Sequence, residues 1–206
     1  NMVAYLASLG GGARAPVKSD EKISTAAMDV VLKPRPGEWP TYNGVLGGNR
    51  HSPLKQINTS NVNRLQMEWV YSLQQPNLET TPIMVDGVMY VTAADKVCAL
   101  GAGTGRELWC FAYTEPTADG RQRNPGSINR GVAVLGDRVF FSTTDAHLLC
   151  LNRLTGGLMW DVATAENLPG RFSASSAPMV VGDLVIAGIG GGDSPLLGFL
   201  AAYKAT

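Results

Sequence analysis

The chain lacks any surplus of charge. Seventeen Lys and Arg balance seventeen Asp and Glu, so the basic excess that marks a nucleic-acid or polybasic membrane-surface protein is missing. It also lacks an apolar run approaching the roughly 18 residues that a spanning helix needs, which predicts no membrane span. Cysteine is scarce: Cys98, Cys110 and Cys150 are an odd number without Cys-x-x-Cys spacing, so no zinc motif is written. No Cys-x-x-Cys-His occurs either, and this chain therefore carries no covalent haem of its own. Cys98 and Cys150 sit inside apolar runs and read as small buried hydrophobes. Residues 1–9 have no basic leader and predict no signal peptide. A chain opening on Asn1 reads as starting inside a longer product. At 17% charged and 45% hydrophobic, most of it is expected to fold.

What the chain does have is punctuation. Twenty-four glycines and twelve prolines suit many short strands joined by turns. Residues 1–9 read as a short helix with Val3 and Leu6 on one face. Gly10-Gly11-Gly12 stops it. The stretch 10–38, rich in Gly, Ala, Ser, Lys and Pro, reads as a linker closed by Pro34 and Pro36. The folded domain is expected over 39–206.

An internal repeat carries the fold argument. Ala99-Leu100-Gly101-Ala102-Gly103-Thr104-Gly105-Arg106-Glu107-Leu108-Trp109 aligns without a gap on Cys150-Leu151-Asn152-Arg153-Leu154-Thr155-Gly156-Gly157-Leu158-Met159-Trp160. A third copy starts at Ala202-Tyr203-Lys204-Ala205-Thr206. Each copy follows a hairpin signal: Asp86-Gly87, Gly136-Asp137 or Gly182-Asp183 between apolar runs. Such turns are expected to place both central residues at positive φ. Four strands in about 50 residues is the size of a propeller blade. The tryptophan ends up on the last strand, wedged between neighbouring blades, where its N–H needs a partner. The fold class is all-β: a partial β-propeller of about three to four blades, with a leading strand around Trp69. The missing blades are expected from the rest of the polypeptide or from a second chain.

The repeat resembles the Ala-x-Asp-x-x-Thr-Gly-x-x-x-Trp pattern of pyrroloquinoline-quinone (PQQ) propellers, with Gly101 and Asn152 replacing its Asp. The leader Trp39-Pro40-Thr41-Tyr42-Asn43-Gly44, with Asn49-Arg50-His51-Ser52-Pro53-Leu54 and Asn61-Val62-x-x-Leu65-x-x-x-Trp69, is similar to the start of quinoprotein alcohol dehydrogenases. The likeness continues through Glu79-Thr80-Thr81-Pro82, Asn129-Arg130-Gly131 and Gly198-Phe199-Leu200-Ala201-Ala202-Tyr203. It covers about 39–206 and implies an eight-bladed propeller, of which this chain is the first part. It implies oxidation of an alcohol or polyol in the periplasm, with PQQ bound beside Ca2+ or a lanthanide and electrons leaving to a c-type cytochrome. Residues 1–9 are similar to the last helix of a cytochrome c domain.

The same resemblance assigns roles to residues. Arg130 matches the arginine that pairs with a PQQ carboxylate, a task suited to a guanidinium fork. Glu79 matches the glutamate that hydrogen-bonds the cofactor, and Thr143 the threonine that bonds the quinone rim. Gly190, Gly191, Gly192 and Asp193 align with the Ser-Gly-Ala-Glu segment, where small residues let backbone amides approach the ring plane. No Gly-Lys-Ser/Thr follows, so this is no phosphate loop. Asp193 falls on the metal-ligating glutamate and keeps a hard oxygen with a shorter reach. The family's vicinal disulfide would fall at Asn124-Pro125; neither is cysteine, which makes methanol a less expected substrate. No catalytic residue is expected in this chain, since the base and the stacking Trp align beyond Thr206. The alternative is a non-catalytic propeller scaffold for protein–protein interaction. Glu79, Arg130 and Asp193 favour the enzyme; the absent cysteine pair and the Asp-for-Glu exchange favour the scaffold.

Overall fold

Asp86 and Gly87 both take positive φ, 53° and 74°. The turn folds β1 (Ile83–Val85) onto β2 (Val88–Ala93) with Val85 opposite Val88, because left-handed central residues match the twist of the flanking strands. At Gly136-Asp137 and Gly182-Asp183 only the glycine is left-handed, at 56° and 61°. The expectation of two such positions therefore holds at the first hairpin and not at the other two. This computed structural model describes residues 25–114, 128–165, 172–190 and 196–206. Residues 1–9, read as a helix, lie outside them.

From each hairpin the chain meanders outward. β1 and β2 are followed by β3 (Lys96–Gly101) and β4 (Glu107–Ala112) in an antiparallel sheet of order β1-β2-β3-β4. The second sheet repeats the pattern with β5 (Ala133–Leu135), β6 (Arg138–Ser142), β7 (His147–Asn152) and β8 (Leu158–Ala163). The third has β9 (Met179–Val181), β10 (Leu184–Ile189) and β11 (Phe199–Lys204). They are three blades of a β-propeller.

Burial shows how the blades stack. Every residue of β6 is buried, and so are the four central residues of β7. Alternate residues go to opposite faces: Val139, Phe141, Leu149 and Leu151 pack on Ile83, Val85 and Tyr90 of the first blade. Phe140, Leu148 and Cys150 pack on Val180, Val185 and Ala187 of the third. A strand covered on both sides reads as a continuous apolar run. In the third blade β10 alternates between buried and half-buried, and Met179, Val181 and Leu200 stay exposed.

The tryptophans lock this stacking. Trp109 of β4 donates its indole N–H to the Arg153 carbonyl at 2.9 Å, and its ring lies where a Cβ on Gly156 would come within 2.6 Å. Trp69 repeats the contact on the first blade, with its N–H on the Ala102 carbonyl at 3.1 Å and its ring against Gly105. The extended segment around Trp69 is thus seated like an outer strand, although it has no strand partner among the described residues. Trp160 holds the same place on β8, and its Nε1 is buried with no hydrogen-bond partner among the described residues. Ala205 occupies the position of Ala102 and Arg153: all three amides donate to the preceding hairpin turn, at Asp183, Gly87 and Asp137.

The stretch read as a linker contains α1 (Thr25–Leu32), which corrects that reading for these eight residues. Val30 and Met28 pack against the blade clusters, and Val31 is almost completely buried. The short apolar run is masked by its polar surroundings in sequence and becomes a helix by packing. Lys33-Pro34 ends it, since a residue before proline avoids the α region. Trp39 and Met84 then exchange backbone hydrogen bonds at 2.9 Å in both directions, bringing the chain beside β1.

Glu38 ties this entry to the first blade. It accepts from the Arg35 side chain and from the Arg35 and Asp86 amides. The Arg35 hydrogen bond holds its carboxyl below the ordinary carboxylate range, against the opposing effect of burial. A depressed carboxylate stabilises the fold above its unfolded pKa, and the contribution is lost as pH falls through the folded value. The urea midpoint of the wild type should therefore exceed that of Glu38→Gln at neutral pH, and the gap should close below about pH 4. For the tryptophan seats, Gly156→Ala should lower stability by about 2–5 kcal/mol, from a left-handed alanine plus overpacking. Gly182→Ala is equally left-handed but meets nothing within 4 Å, and should cost only about 1–2 kcal/mol in the same urea titration.

Candidate functional site

The segments that lead into the innermost strands run side by side. The Thr81 amide donates to the Arg130 carbonyl at 3.0 Å, and the Arg130 amide to the Ser175 carbonyl at 2.9 Å. Three successive blades thus place Glu79, Arg130 and Ser175 at one end of the stack. Arg130 Nη2 donates to Glu79 Oε2 at 2.8 Å and Nη1 to Ser175 Oγ at 2.7 Å. The Arg130 side chain is 35% exposed and that of Glu79 50%, so the pair is open to a ligand.

Buried neighbours set this geometry. Asn129 is fully enclosed; its amide donates to the Ser142 carbonyl at 2.8 Å, and its Oδ1 accepts from the Gly131 amide at 2.9 Å. Thr92 donates to Thr80 Oγ1 through both amide and hydroxyl, and its hydroxyl also reaches the Asn129 carbonyl. These polar groups are satisfied inside the blades and fix the backbone on either side of Arg130. A cavity of about 320 Å³ runs along the inner strands, with Arg130 at its rim and Val31, Tyr42, Val132, Ala177 and Val180 among its walls.

The structure brings together only part of the expected set. Glu79 and Arg130 meet. Gly190 stands at the end of β10, bridged to Ser173, with its amide on the Ser173 carbonyl at 2.8 Å; a Cβ there would approach that carbonyl to 3.3 Å. Gly191, Gly192 and Asp193 lie outside the described residues, as do Asn124 and Pro125. Thr143 is fully buried in the β6–β7 turn, where its hydroxyl bonds Asp145 and accepts from the His147 amide at 2.9 Å. Its hydroxyl is engaged within its own turn, and the hydroxyl beside Arg130 is that of Ser175. The missed signal is positional: Ser175 precedes Pro178 by three residues, as Glu79 precedes Pro82. Cys98, read as a plain buried hydrophobe, is in fact disulfide-bonded to Cys110 across β3 and β4. Cys150 is free and buried, and burial pushes its thiol up to about 12.

The family model for the PQQ glucose/ethanol/alcohol dehydrogenase β-propeller domain matches residues 39–195. The chain belongs to this family. It is 36% identical over 201 residues to the quinoprotein alcohol dehydrogenase PedH of Pseudomonas putida, covering 95% of this chain and 32% of that protein. The structure of quinohemoprotein alcohol dehydrogenase ADHIIG from P. putida superposes with a TM-score of 0.77 at 33% identity, over 95% of this chain and 28% of that one. A europium-containing methanol dehydrogenase superposes with a TM-score of 0.72 at 30% identity, over 84% and 31%. The chain spans about a third of the length of these relatives.

PQQ is a planar quinone bearing three carboxylates, and the described residues fit part of it. Arg130 offers a half-open guanidinium edge that a carboxylate can pair with, Ser175 a hydroxyl, and Glu79 an acceptor for a ring N–H. Thr143→Val keeps the shape but removes the acceptor of the His147 amide and the donor to Asp145 Oδ1. It should lower stability by about 1–3 kcal/mol, read as a shift in urea midpoint.

Proposed function

We propose that these blades form one side of the cofactor site of a PQQ-dependent dehydrogenase that oxidises alcohols or polyols. The observation that carries this reading is the Glu79–Arg130–Ser175 cluster: three residues from three blades, partly exposed beside a cavity, within a chain of the quinoprotein family. Bound there, the quinone supplies the acceptor for the two electrons of alcohol oxidation. Arg130 binds and orients a cofactor carboxylate, Ser175 holds the guanidinium in line, and Glu79 accepts from the ring. In this reading Gly190, Gly191 and Gly192, which carry no side chain, are assigned to the flat ring of the cofactor, and Asp193 is assigned as an oxygen ligand to Ca2+ or a lanthanide. A lanthanide is supported by the relative that contains europium.

Electrons leave to a c-type cytochrome in this reading, which the quinohemoprotein character of the ADHIIG relative supports. A periplasmic location is supported by the Cys98–Cys110 disulfide, since such bonds persist in oxidising compartments. No described helix is long and apolar enough to cross a membrane.

The test is reconstitution of the full-length protein with PQQ and either Ca2+ or a lanthanide, followed by turnover of primary alcohols and polyols with an artificial electron acceptor. Turnover that requires both additions is the expected result; none with any alcohol or polyol would sink the proposal. In the same protein Arg130→Ala should weaken PQQ binding by at least about 1.5 kcal/mol, the scale of a charge-assisted hydrogen bond. An unchanged affinity in a fluorescence titration removes Arg130 from the site.

A further inference from the structure

The first blade differs from the second at a spot the fold does not require. Cys98 and Cys110 face each other on β3 and β4, and the equivalent pair on β7 and β8 is Leu149 opposite Asp161. The same sheet geometry is therefore built without sulfur one blade later. Around the cysteines the first blade gathers further donor atoms. The Tyr71 hydroxyl lies 3.5 Å from Cys98 Sγ and 3.3 Å from Cys110 Sγ, and it donates to Glu107 Oε2. Both sulfurs and a Glu107 carboxylate oxygen lie within 4.8 Å of one another. Cys98 is buried, Cys110 half-buried and Glu107 open to solvent, so the cluster has a closed floor and an accessible mouth.

We propose that this cluster is a redox-gated site for a thiophilic divalent cation of the Zn2+ class. While the sulfurs are joined, neither can act as a thiolate, and the site is shut. An external dithiol opens it: two electrons and two protons pass to Cys98 and Cys110, the S–S bond breaks, and the dithiol is oxidised to its own disulfide. The incoming cation displaces both thiol protons and takes Cys98 Sγ, Cys110 Sγ and a Glu107 oxygen, with solvent in the fourth tetrahedral position. The donor set is two soft sulfurs and one hard oxygen, which suits Zn2+ or Cd2+ and not Ca2+. Either link, disulfide or metal, keeps β3 tied to β4 beneath the segment of Trp69, Tyr71 and Leu73 that packs there. Cys150 does not compete, because it is enclosed between the second and third blades beside Met159. The inference does not depend on the cofactor reading.

The experiment is a Cd2+ titration of the full-length protein, oxidised and after anaerobic reduction by dithiothreitol and its removal, followed by thiolate-to-cadmium charge-transfer absorption. The reduced wild type should show a saturating band at one equivalent, and the oxidised protein should lack it. Cys98→Ser should abolish the band, with Cys110→Ser as the second variant should the first not fold. Glu107→Gln should keep the band while weakening affinity at least tenfold. No band in the reduced wild type, an equal band in the cysteine variants, or an unchanged affinity in Glu107→Gln would each overturn the proposal.

Discussion

Trp109 leaves the outer strand of one blade and lies on Gly156 in a turn of the next, its indole N–H held by the Arg153 carbonyl. Trp69 makes the same contact on Gly105 and Ala102. The ring needs a neighbour without a Cβ, and the N–H needs a carbonyl at a fixed place, so each contact sets both the distance and the rotation between blades. Everything else in the stack follows from that spacing. The middle blade can be apolar on both faces only because a blade arrives on each side at the right separation, and the chain of Val, Phe and Leu side chains in β6 and β7 is divided between two clusters accordingly.

The candidate site is a consequence of the same arrangement. Blades related by rotation bring the starts of their inner strands side by side, so residues about 50 positions apart in sequence become hydrogen-bonded neighbours. Glu79, Arg130 and Ser175 come from three different blades, and none is close to another in the chain. Their ion pair is half-exposed and contributes little to stability, about 0–1 kcal/mol. The enclosed Asn129 and Thr92 instead fix the backbone on which the pair is carried. The separation of roles leaves a charged, accessible group on a rigid support, which is what a carboxylated ligand requires.

Sulfur illustrates how counting misleads. An odd number of cysteines without a recognised spacing suggests inert thiols, and for Cys150 burial agrees. Cys98 and Cys110 are twelve residues apart with an intervening turn, and nothing in that interval signals a pairing. The register of β3 on β4, with its irregularity next to Ala99, places them opposite each other. Tyr71 reaches the same point from a segment nearly thirty residues away from Cys98.

The sequence by itself determined the strands, the hairpins, the repeat and the position of the tryptophans, because alternation, Asp-Gly chemistry and glycine punctuation act over a few neighbouring residues. It also pointed to the family and to Glu79 and Arg130. Tertiary structure alone brought the Ser175 hydroxyl beside Arg130 and engaged the Thr143 hydroxyl in its own turn. It decided that 25–32 is a helix, since that apolar run is too short to hold a helix without the sheets it covers. It also joined Cys98 to Cys110. Each of these depends on how one strand or blade registers against another, and register is fixed by packing over distances that no local pattern spans.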